Sequence, residues 1–166
     1  KREVYGICLL EKANPEENGI WQEIPEFAQT EELLVIYGSD KRGTIYGMFH
    51  LSEVIGVSPL YFWGDTTPQK RNSIRLDASV AMVSKEPSIK YRGFFINDEW
   101  PCFGNWTFHH YGGFTAEMYD KVFELLLRLK GNYLWPAMWT SSFALDGPGD
   151  KNAELADIYG VIMGNS

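Results

Sequence analysis

The second half of the chain alternates continuous apolar runs with segments of helical spacing, and this alternation constrains the fold most. The runs predict three strands, at residues 91–97, 133–139 and 161–163, with helices over 115–131 and 150–160 between them. The residues predicted to begin or end these helices are Thr115, Gly131, Asp150 and Gly160. Strand, helix, strand, helix, strand in this order implies a parallel sheet with right-handed crossovers.

Residues 90–166 hold only about three strand-and-helix units, whereas a closed (β/α)₈ TIM barrel needs about 250 residues. We therefore expect this region to be the N-terminal part of such a barrel, truncated after its third strand. We expect the rest of the catalytic domain to lie outside this sequence.

The first part of the chain predicts the end of an N-terminal α/β domain over residues 1–75. Strands are expected at 3–10, 32–37 and 57–63. Ser39 or Asp40 is expected to cap a helix after the second strand, since the Gly-rich turn there lacks the spacing of a phosphate-binding loop. The polar, turn-rich stretch 76–89 is expected to be a linker between the domains.

Composition narrows the function classes. The net charge of −7 disfavours nucleic acid as a partner, and no apolar run approaches the length of a membrane span. Aromatic residues make up 15% of the chain, a share that suits either large cores or the stacking surfaces of sugar-binding sites. No metal site is predicted, because His109 and His110 have no cysteine or acid at ligand spacing. One disulfide between Cys8 and Cys102 is compatible with the sequence but not demanded by it.

Candidate site residues follow the predicted strands, where sites form in parallel α/β folds. Asn97, Asp98 and Glu99 come after the first strand; one of the two carboxylates would face the barrel axis as a base, a water-orienting group or a hydroxyl ligand. Alternatively, they cap a turn or pair with Arg92. Trp139 after the second strand would stack on a sugar or pack under its loop. The candidate substrate-binding residues that follow the second and third strands are Trp139 and Asn165.

Five stretches resemble glycoside hydrolase family 115, the xylan α-1,2-glucuronidases. They are residues 38–47, 56–59, 91–99, 121–139 and 156–164. The resemblance implies an N-terminal α/β domain, a (β/α)₈ catalytic barrel, and release of glucuronic acid or its 4-O-methyl form from xylan with inversion. It implies no cofactor. It also places Asp98 and Glu99 among the catalytic residues and Asn97 among the substrate-binding ones, with the general acid and a uronate-binding arginine on later strands.

Two other interpretations stay open on the residues alone. One is a non-catalytic carbohydrate-binding relative, and the other is a different exo-glycosidase with an α/β domain before its barrel, such as a β-hexosaminidase. The expected partner is glucuronoxylan or its oligosaccharides, with no nucleic acid and no membrane, and with a homodimer as an option for the complete protein. Because polymeric xylan does not enter cells, a secreted or periplasmic location is expected.

Overall fold

The computed structural model describes residues 1–12, 23–27, 29–97, 100–136, 139 and 141–164. Two compact units are present. Lys1–Met48 and Arg71–Glu86 form the first, and Phe49–Lys70 and Pro87–Ser166 form the second. Within the described ranges, no helix is long and apolar enough to cross a membrane.

The first unit contains the strands β1 (Tyr5–Glu11), β2 (Glu32–Gly38) and β3 (Met82–Val83). They form an antiparallel sheet with β1 in the centre. Ile7 of β1 pairs with Ile36 on one side and with Met82 on the other, and its own side chain is 1% exposed. The first two predicted strands are therefore confirmed, and the unit around them is a mixed α/β arrangement on an antiparallel sheet.

Helix α1 (Lys41–Val54) begins at a cap that Asp40 supplies. Asp40 Oδ1 accepts a hydrogen bond from Gly43 N–H at 2.8 Å, and Oδ2 accepts one from Glu3 N–H at 2.7 Å. The predicted cap is confirmed with Asp40 in this role. The buried Glu3 carboxylate in turn accepts a hydrogen bond from Arg42 Nε at 2.6 Å, so the start of α1 is tied to the residues before β1.

One predicted strand is replaced by turns in the structure, and the stretch expected to be a linker contains short regular elements. Residues 57–63, predicted as a strand, form consecutive turns in which Ser58 O accepts from Tyr61 N–H and Leu60 O accepts from Gly64 N–H. The strand prediction is wrong because this apolar run contains Pro59, which has no N–H for a sheet. Residues 76–89, expected to be a linker, include the 3₁₀ turn Ala78–Val80 and strand β3.

The second unit contains a parallel sheet of β4 (Gly93–Phe95), β5 (Tyr133–Trp135) and β6 (Ile162–Met163), with β5 in the centre. The parallel pairing that the sequence predicted is confirmed. Each strand is shorter than the apolar run from which it was predicted. No closed barrel is present in the part of the chain that the structure describes.

Asn132 holds the beginnings of all three parallel strands. Its side-chain oxygen accepts from Arg92 N–H at 2.9 Å, and its amide donates to Lys90 O at 2.7 Å. Its main-chain carbonyl accepts from Ile162 N–H at 2.8 Å. Since Asn132 is only 2% exposed, these bonds form in a poorly solvated environment and define the register.

Three helices complete the second unit: α2 (Phe103–Tyr111), α3 (Ala116–Arg128) and α4 (Lys151–Tyr159). Helices α3 and α4 confirm the two predicted helices, and α4 ends at Gly160 as expected. At the end of α3 Lys130 takes the left-handed conformation, at φ 60°, and Gly131 N–H donates to Leu126 O at 2.8 Å, so the predicted stop at Gly131 is confirmed one residue after the left-handed position. The side chains that α3 buries are Met118, Tyr119, Val122, Phe123, Leu126 and Leu127.

Candidate functional site

The parallel register brings the segments that follow β4, β5 and β6 to the same edge of the sheet. Ile96 N–H donates to Trp135 O at 2.9 Å, and Gly164 N–H donates to Leu134 O at 2.6 Å. The carboxyl edge of a parallel sheet is where α/β folds bind ligands. Every residue predicted to belong to the site follows one of these three strands in the sequence.

Asn97 lies two residues beyond β4 with an exposed side chain. It borders a cavity of about 230 Å³. The other residues that line this cavity are Trp63, Phe94, Phe95, Ile96, Phe103, Val122 and Leu125. An apolar pocket with an amide at its border suits a ring that has one apolar face and a few hydroxyl groups better than it suits an ion.

Trp139 is the predicted residue that the structure places beyond β5, and its side chain is 69% exposed. Its role, stacking on a sugar or packing under its loop, stays a prediction. Asp98, Glu99 and Asn165 lie outside the described residues, and their assignments stay predictions.

Arg92, the alternative ion-pair partner for Asp98 or Glu99, lies directly before β4, at the opposite end of the strand from Asn97. Its Nε donates to Lys130 O at 3.0 Å, and its NH1 donates to Ile89 O at 2.8 Å. These contacts hold the guanidinium group against main-chain carbonyls at the amino end of the sheet. They favour a structural role for Arg92.

One face of the parallel sheet presents aromatic rings to solvent. Phe95 and Trp135 are partners in the register of β4 and β5, with ring centroids 5.6 Å apart and an interplanar angle of 71°. They are 41% and 40% exposed, whereas Leu134, on the opposite face, is fully buried. Because neighbouring residues of a strand point to opposite faces, only one face of the sheet is covered by the described helices.

Helix α2 lies between the first predicted strand and the helix over 115–131, where the sequence analysis predicted no helix. Its rings pack in a row: Phe103 stacks on Trp106 at 5.6 Å and 13°, and Trp106 stacks on His110 at 4.6 Å and 27°. The ring centroid of Trp63 lies 5.4 Å from that of Trp106, at an interplanar angle of 45°. The spacing i, i+3, i+7 of Phe103, Trp106 and His110 is a helical signal that could have revealed α2.

A polar cluster on α3 holds the segment Phe49–Lys70 in the second unit. Arg128 Nε donates to Glu124 Oε1 at 2.9 Å, and the guanidinium carbon lies 4.5 Å from the Phe49 ring centre and 5.0 Å from that of Tyr61. Tyr61 Oη also donates to the Glu124 carboxylate. Burial, together with the charge of Glu124 and this hydrogen bond, raises the pKa of Tyr61. The cluster is saturated with internal partners, which favours a structural role.

Asp120 and Tyr159 join α3 to α4 through a hydrogen bond of 2.5 Å from Tyr159 Oη to Asp120 Oδ1. Burial is the largest influence on Asp120 and would raise its pKa. Hydrogen bonds from Tyr159 and Lys121 and the Lys121 charge outweigh it, so the pKa of Asp120 lies below its usual range. Burial and the Asp120 hydrogen bond raise the pKa of Tyr159 well above its usual range. Both pKa shifts favour the state in which Asp120 is ionised and Tyr159 keeps its proton, and this is the state that forms the hydrogen bond.

Asn152 joins two segments that leave the carboxyl edge of the sheet. It is fully buried in α4, and its side-chain amide donates to Phe114 O at 3.0 Å and to Phe143 O at 2.7 Å. Phe114 belongs to the segment between β4 and α3, and Phe143 to the segment between β5 and α4. A single side chain therefore holds together two loops that carry predicted site residues.

The described histidines and cysteines form no metal site. No group of three or more His, Cys, Asp or Glu side chains comes together in the described part of the chain. Cys8 and Cys102 are free thiols. His110 is exposed on α2, and its Nδ1 lies 2.8 Å from Trp106 O.

Comparison with known proteins agrees with this geometry. The model of the family described as glycosyl hydrolase family 115 matches residues 84–166. The solved structure of BtGH115A, a family GH115 4-O-methyl-α-glucuronidase with specificity for decorated arabinogalactans, matches with 34% identity and a TM-score of 0.76. That match covers 100% of this chain and 20% of BtGH115A, so the chain spans about a fifth of that protein's length. No curated protein matches. The chain therefore belongs to glycoside hydrolase family 115, a family of 4-O-methyl-α-glucuronidases.

Proposed function

We propose that the complete protein containing this chain is an inverting glycoside hydrolase that releases (4-O-methyl)glucuronic acid from α-1,2-substituted xylan. The observation that carries this proposal is the match of the whole chain, at 34% identity, to a 4-O-methyl-α-glucuronidase. The three parallel strands support the further expectation that the complete catalytic domain closes into a (β/α)₈ barrel.

Inversion needs an acid and a base on opposite sides of the sugar, about 6.5–9.5 Å apart, with room for a water molecule. The water oxygen bonds to the anomeric carbon while the base takes its proton. The glycosidic C–O bond breaks, and the acid protonates the departing oxygen of the main-chain sugar. In this scheme Asp98 orients the water or binds a hydroxyl group. Glu99 is the second carboxylate of the site, Asn97 and Asn165 bind the sugar, and Trp139 stacks on it.

Decorated arabinogalactan is a second candidate substrate. The specificity of BtGH115A for decorated arabinogalactans favours it. Both candidates share an α-linked uronosyl branch on a neutral main chain, so the same carboxyl-edge site would serve either. The two polysaccharides differ in their main-chain sugars, which in this proposal contact the enzyme outside the part of the site that binds the uronosyl branch.

The test is to incubate the complete protein with glucuronoxylan and, separately, with decorated arabinogalactan. Free uronic acid is measured by anion-exchange chromatography, and the first anomer formed is identified by proton NMR. We expect the uronic acid to appear initially as the β anomer, with the main chain left intact. Initial release of the α anomer would contradict the inverting mechanism.

Asp98→Asn is the sharpest variant, because the change is nearly isosteric and removes only the carboxylate charge. We expect kcat to fall by about 100-fold or more while the melting temperature changes little. Glu99→Gln is the variant to compare with it, because the sequence predicts that one of these two adjacent carboxylates faces the barrel axis. An equal or larger loss in Glu99→Gln would transfer the inward role to Glu99.

A non-catalytic carbohydrate-binding relative is the competing proposal within the family. Measurable polysaccharide binding without uronic acid release by the folded complete protein would favour it. A secreted or periplasmic location and a homodimer are further parts of the proposed function. Fractionation of cells that produce the complete protein tests the first, and light scattering of the purified protein tests the second.

A further inference from the structure

Asn152 joins the segments after β4 and β5 through a single buried amide. Its exposed fraction is 0%, and its side-chain nitrogen donates to Phe114 O at 3.0 Å and to Phe143 O at 2.7 Å. Further chain can only add cover to a group that is already buried. The burial of Asn152 is therefore independent of how much of the complete protein lies outside these residues.

The amide of Asn152 serves as a donor. Its oxygen Oδ1 is buried, and it accepts no hydrogen bond from the residues that the structure describes. A buried oxygen without a donor costs free energy that an apolar side chain at the same position would avoid. Natural proteins break this rule mostly where a function requires the polar group. Asn152 is therefore better explained by the two segments that its donors hold than by a gain in stability.

The bond to Phe114 leads to the cavity that Asn97 borders. The Phe114 ring meets the Phe103 ring at a centroid distance of 5.9 Å and an interplanar angle of 63°. Phe103 lies on α2 and lines the same cavity as Asn97. Asn152 is thus linked to a candidate site residue by one hydrogen bond, one ring contact and one shared cavity wall. A displacement of the Phe114 main chain moves Phe103 and changes the shape of this cavity.

The bond to Phe143 fixes the segment that carries Trp139. The Phe143 ring packs edge-on against Tyr119 of α3, at a centroid distance of 4.8 Å and an angle of 84°. Asp146 closes a turn over the same residues, since its carboxylate accepts from Ser142 N–H at 3.0 Å for Oδ1 and 2.9 Å for Oδ2. The segment is therefore anchored four residues after Trp139, by a ring in the core and by a buried amide on the main chain.

We propose that Asn152 is a positioning residue for the hydrolysis: it sets the distance between the segment after β4, which carries Asn97 and the predicted carboxylates, and the segment after β5, which carries Trp139. It acts through the main chains of Phe114 and Phe143. A misplacement of about 1 Å in an active site can reduce a rate about 100-fold. This proposal rests on the proposed function, because it assigns a residue that arranges the same site.

The experiment perturbs the amide from two directions in the complete protein. Asn152→Ala removes both donors. Gly147→Ala disturbs the same amide from another segment, because a Cβ at Gly147 would lie 2.9 Å from Asn152 Oδ1. Asn132→Ala is the matched control, since it removes a buried asparagine that bonds Arg92 N–H and Lys90 O at the amino end of the same sheet. For each variant, kcat and KM on the polysaccharide that the wild type cleaves are normalised to the folded fraction.

Per folded molecule, we expect kcat to fall at least about tenfold in Asn152→Ala and less in Gly147→Ala, with a smaller rise in KM. Asn132→Ala should lose a comparable melting temperature and keep kcat within about threefold. The double variant Gly147→Ala/Asn152→Ala should be no slower than Asn152→Ala, because removal of the amide leaves room for the new methyl group.

Two results would overturn the positioning role: equal losses of kcat in Asn152→Ala and Asn132→Ala, or a kcat in Asn152→Ala within about threefold of the wild type. If Asn152→Ala does not fold, Gly147→Ala makes the same comparison with Asn132→Ala. A merely structural role lowers the folded fraction and leaves the rate per folded molecule unchanged, so the normalised kcat separates the two roles.

Failure of the proposed function has a different signature, because the wild type then releases no uronic acid from either polysaccharide. Affinity electrophoresis in gels containing glucuronoxylan or decorated arabinogalactan then measures the arrangement of the same segments through binding. Retardation of the wild type and of Asn132→Ala that is lost in Asn152→Ala would support the positioning role in a non-catalytic binding protein. Retardation that persists in Asn152→Ala, or that is absent from the wild type, would overturn it.

Discussion

Replacing Asn152 with alanine removes the side chain that joins the segment after β4 to the segment after β5. The wild-type amide donates to Phe114 O at 3.0 Å and to Phe143 O at 2.7 Å, and Asn152 is fully buried. Alanine keeps the helix propensity of α4 high and cannot replace either bond. The variant therefore tests the tie between the two loops rather than the stability of the helix.

The expected change in the free energy of opening the two loops follows from these two hydrogen bonds. Each contributes about 1 kcal/mol, and leaving the buried Phe114 carbonyl without a donor adds about 1 kcal/mol or more. The loops should therefore open about 3 kcal/mol more easily, which corresponds to roughly 150-fold faster amide exchange in their protected positions.

Hydrogen–deuterium exchange of the complete protein measures this locally. The informative amides are those of Met118 and Tyr119, which donate to Thr115 O, and that of Leu145, which donates to Ser142 O. Exchange should accelerate in peptides covering these positions and much less in the centre of α3. The matched control is Glu154→Ala, an exposed change in the same helix. Unchanged exchange at both loops, or equal acceleration across the whole protein, would refute the reasoning.

Two further predictions concern charged groups. Arg42→Met should destabilise the protein by about 3–5 kcal/mol in urea unfolding, because the fully buried Glu3 carboxylate loses its 2.6 Å partner. Adding Glu3→Gln should recover part of that loss, and a cost below about 1 kcal/mol would contradict the argument. Because folding lowers the pKa of Asp120, its contribution is complete above the ordinary value of 3.8 and is lost as the pH falls below it. Asp120→Asn should therefore lose less melting temperature than the wild type between about pH 5 and pH 3, and parallel pH curves would count against this cause.

The elements that the sequence predicted correctly are those with a local physical cause. Helix α3 carries apolar residues at helical spacing, and Gly160 ends α4 at φ 68° because glycine takes that conformation without steric cost. The parallel pairing of β4, β5 and β6 also follows from local patterns, because a helix that connects two strands of one sheet is the usual crossover between parallel strands.

Both errors, at residues 57–63 and at helix α2, had a local signal against the prediction, and long-range contacts hold the conformation that forms instead. The apolar stretch 57–63 resembles a buried strand, yet its Trp63 ring packs on Phe103 and Trp106 and its Tyr61 binds Glu124. These partners lie 40 or more positions away in the sequence, so no local pattern predicts them. Helix α2 was missed although Phe103, Trp106 and His110 recur at helical spacing, because the polar and aromatic residues around them resemble a loop.

For the candidate site, the residue types and their positions after the strands could be predicted from the sequence. The strand ends, the acidic pair Asp98 and Glu99, and the position of Trp139 after the second strand follow from hydrophobic runs and from the residues that interrupt them. The tertiary structure adds what depends on contacts between distant residues: Asn152 bridging two loops, and Trp63 packing against Trp106. Local sequence sets secondary structure through backbone sterics and periodic burial. In contrast, the distant segments that pack over a residue decide whether its ring is exposed and which groups bind its buried amide.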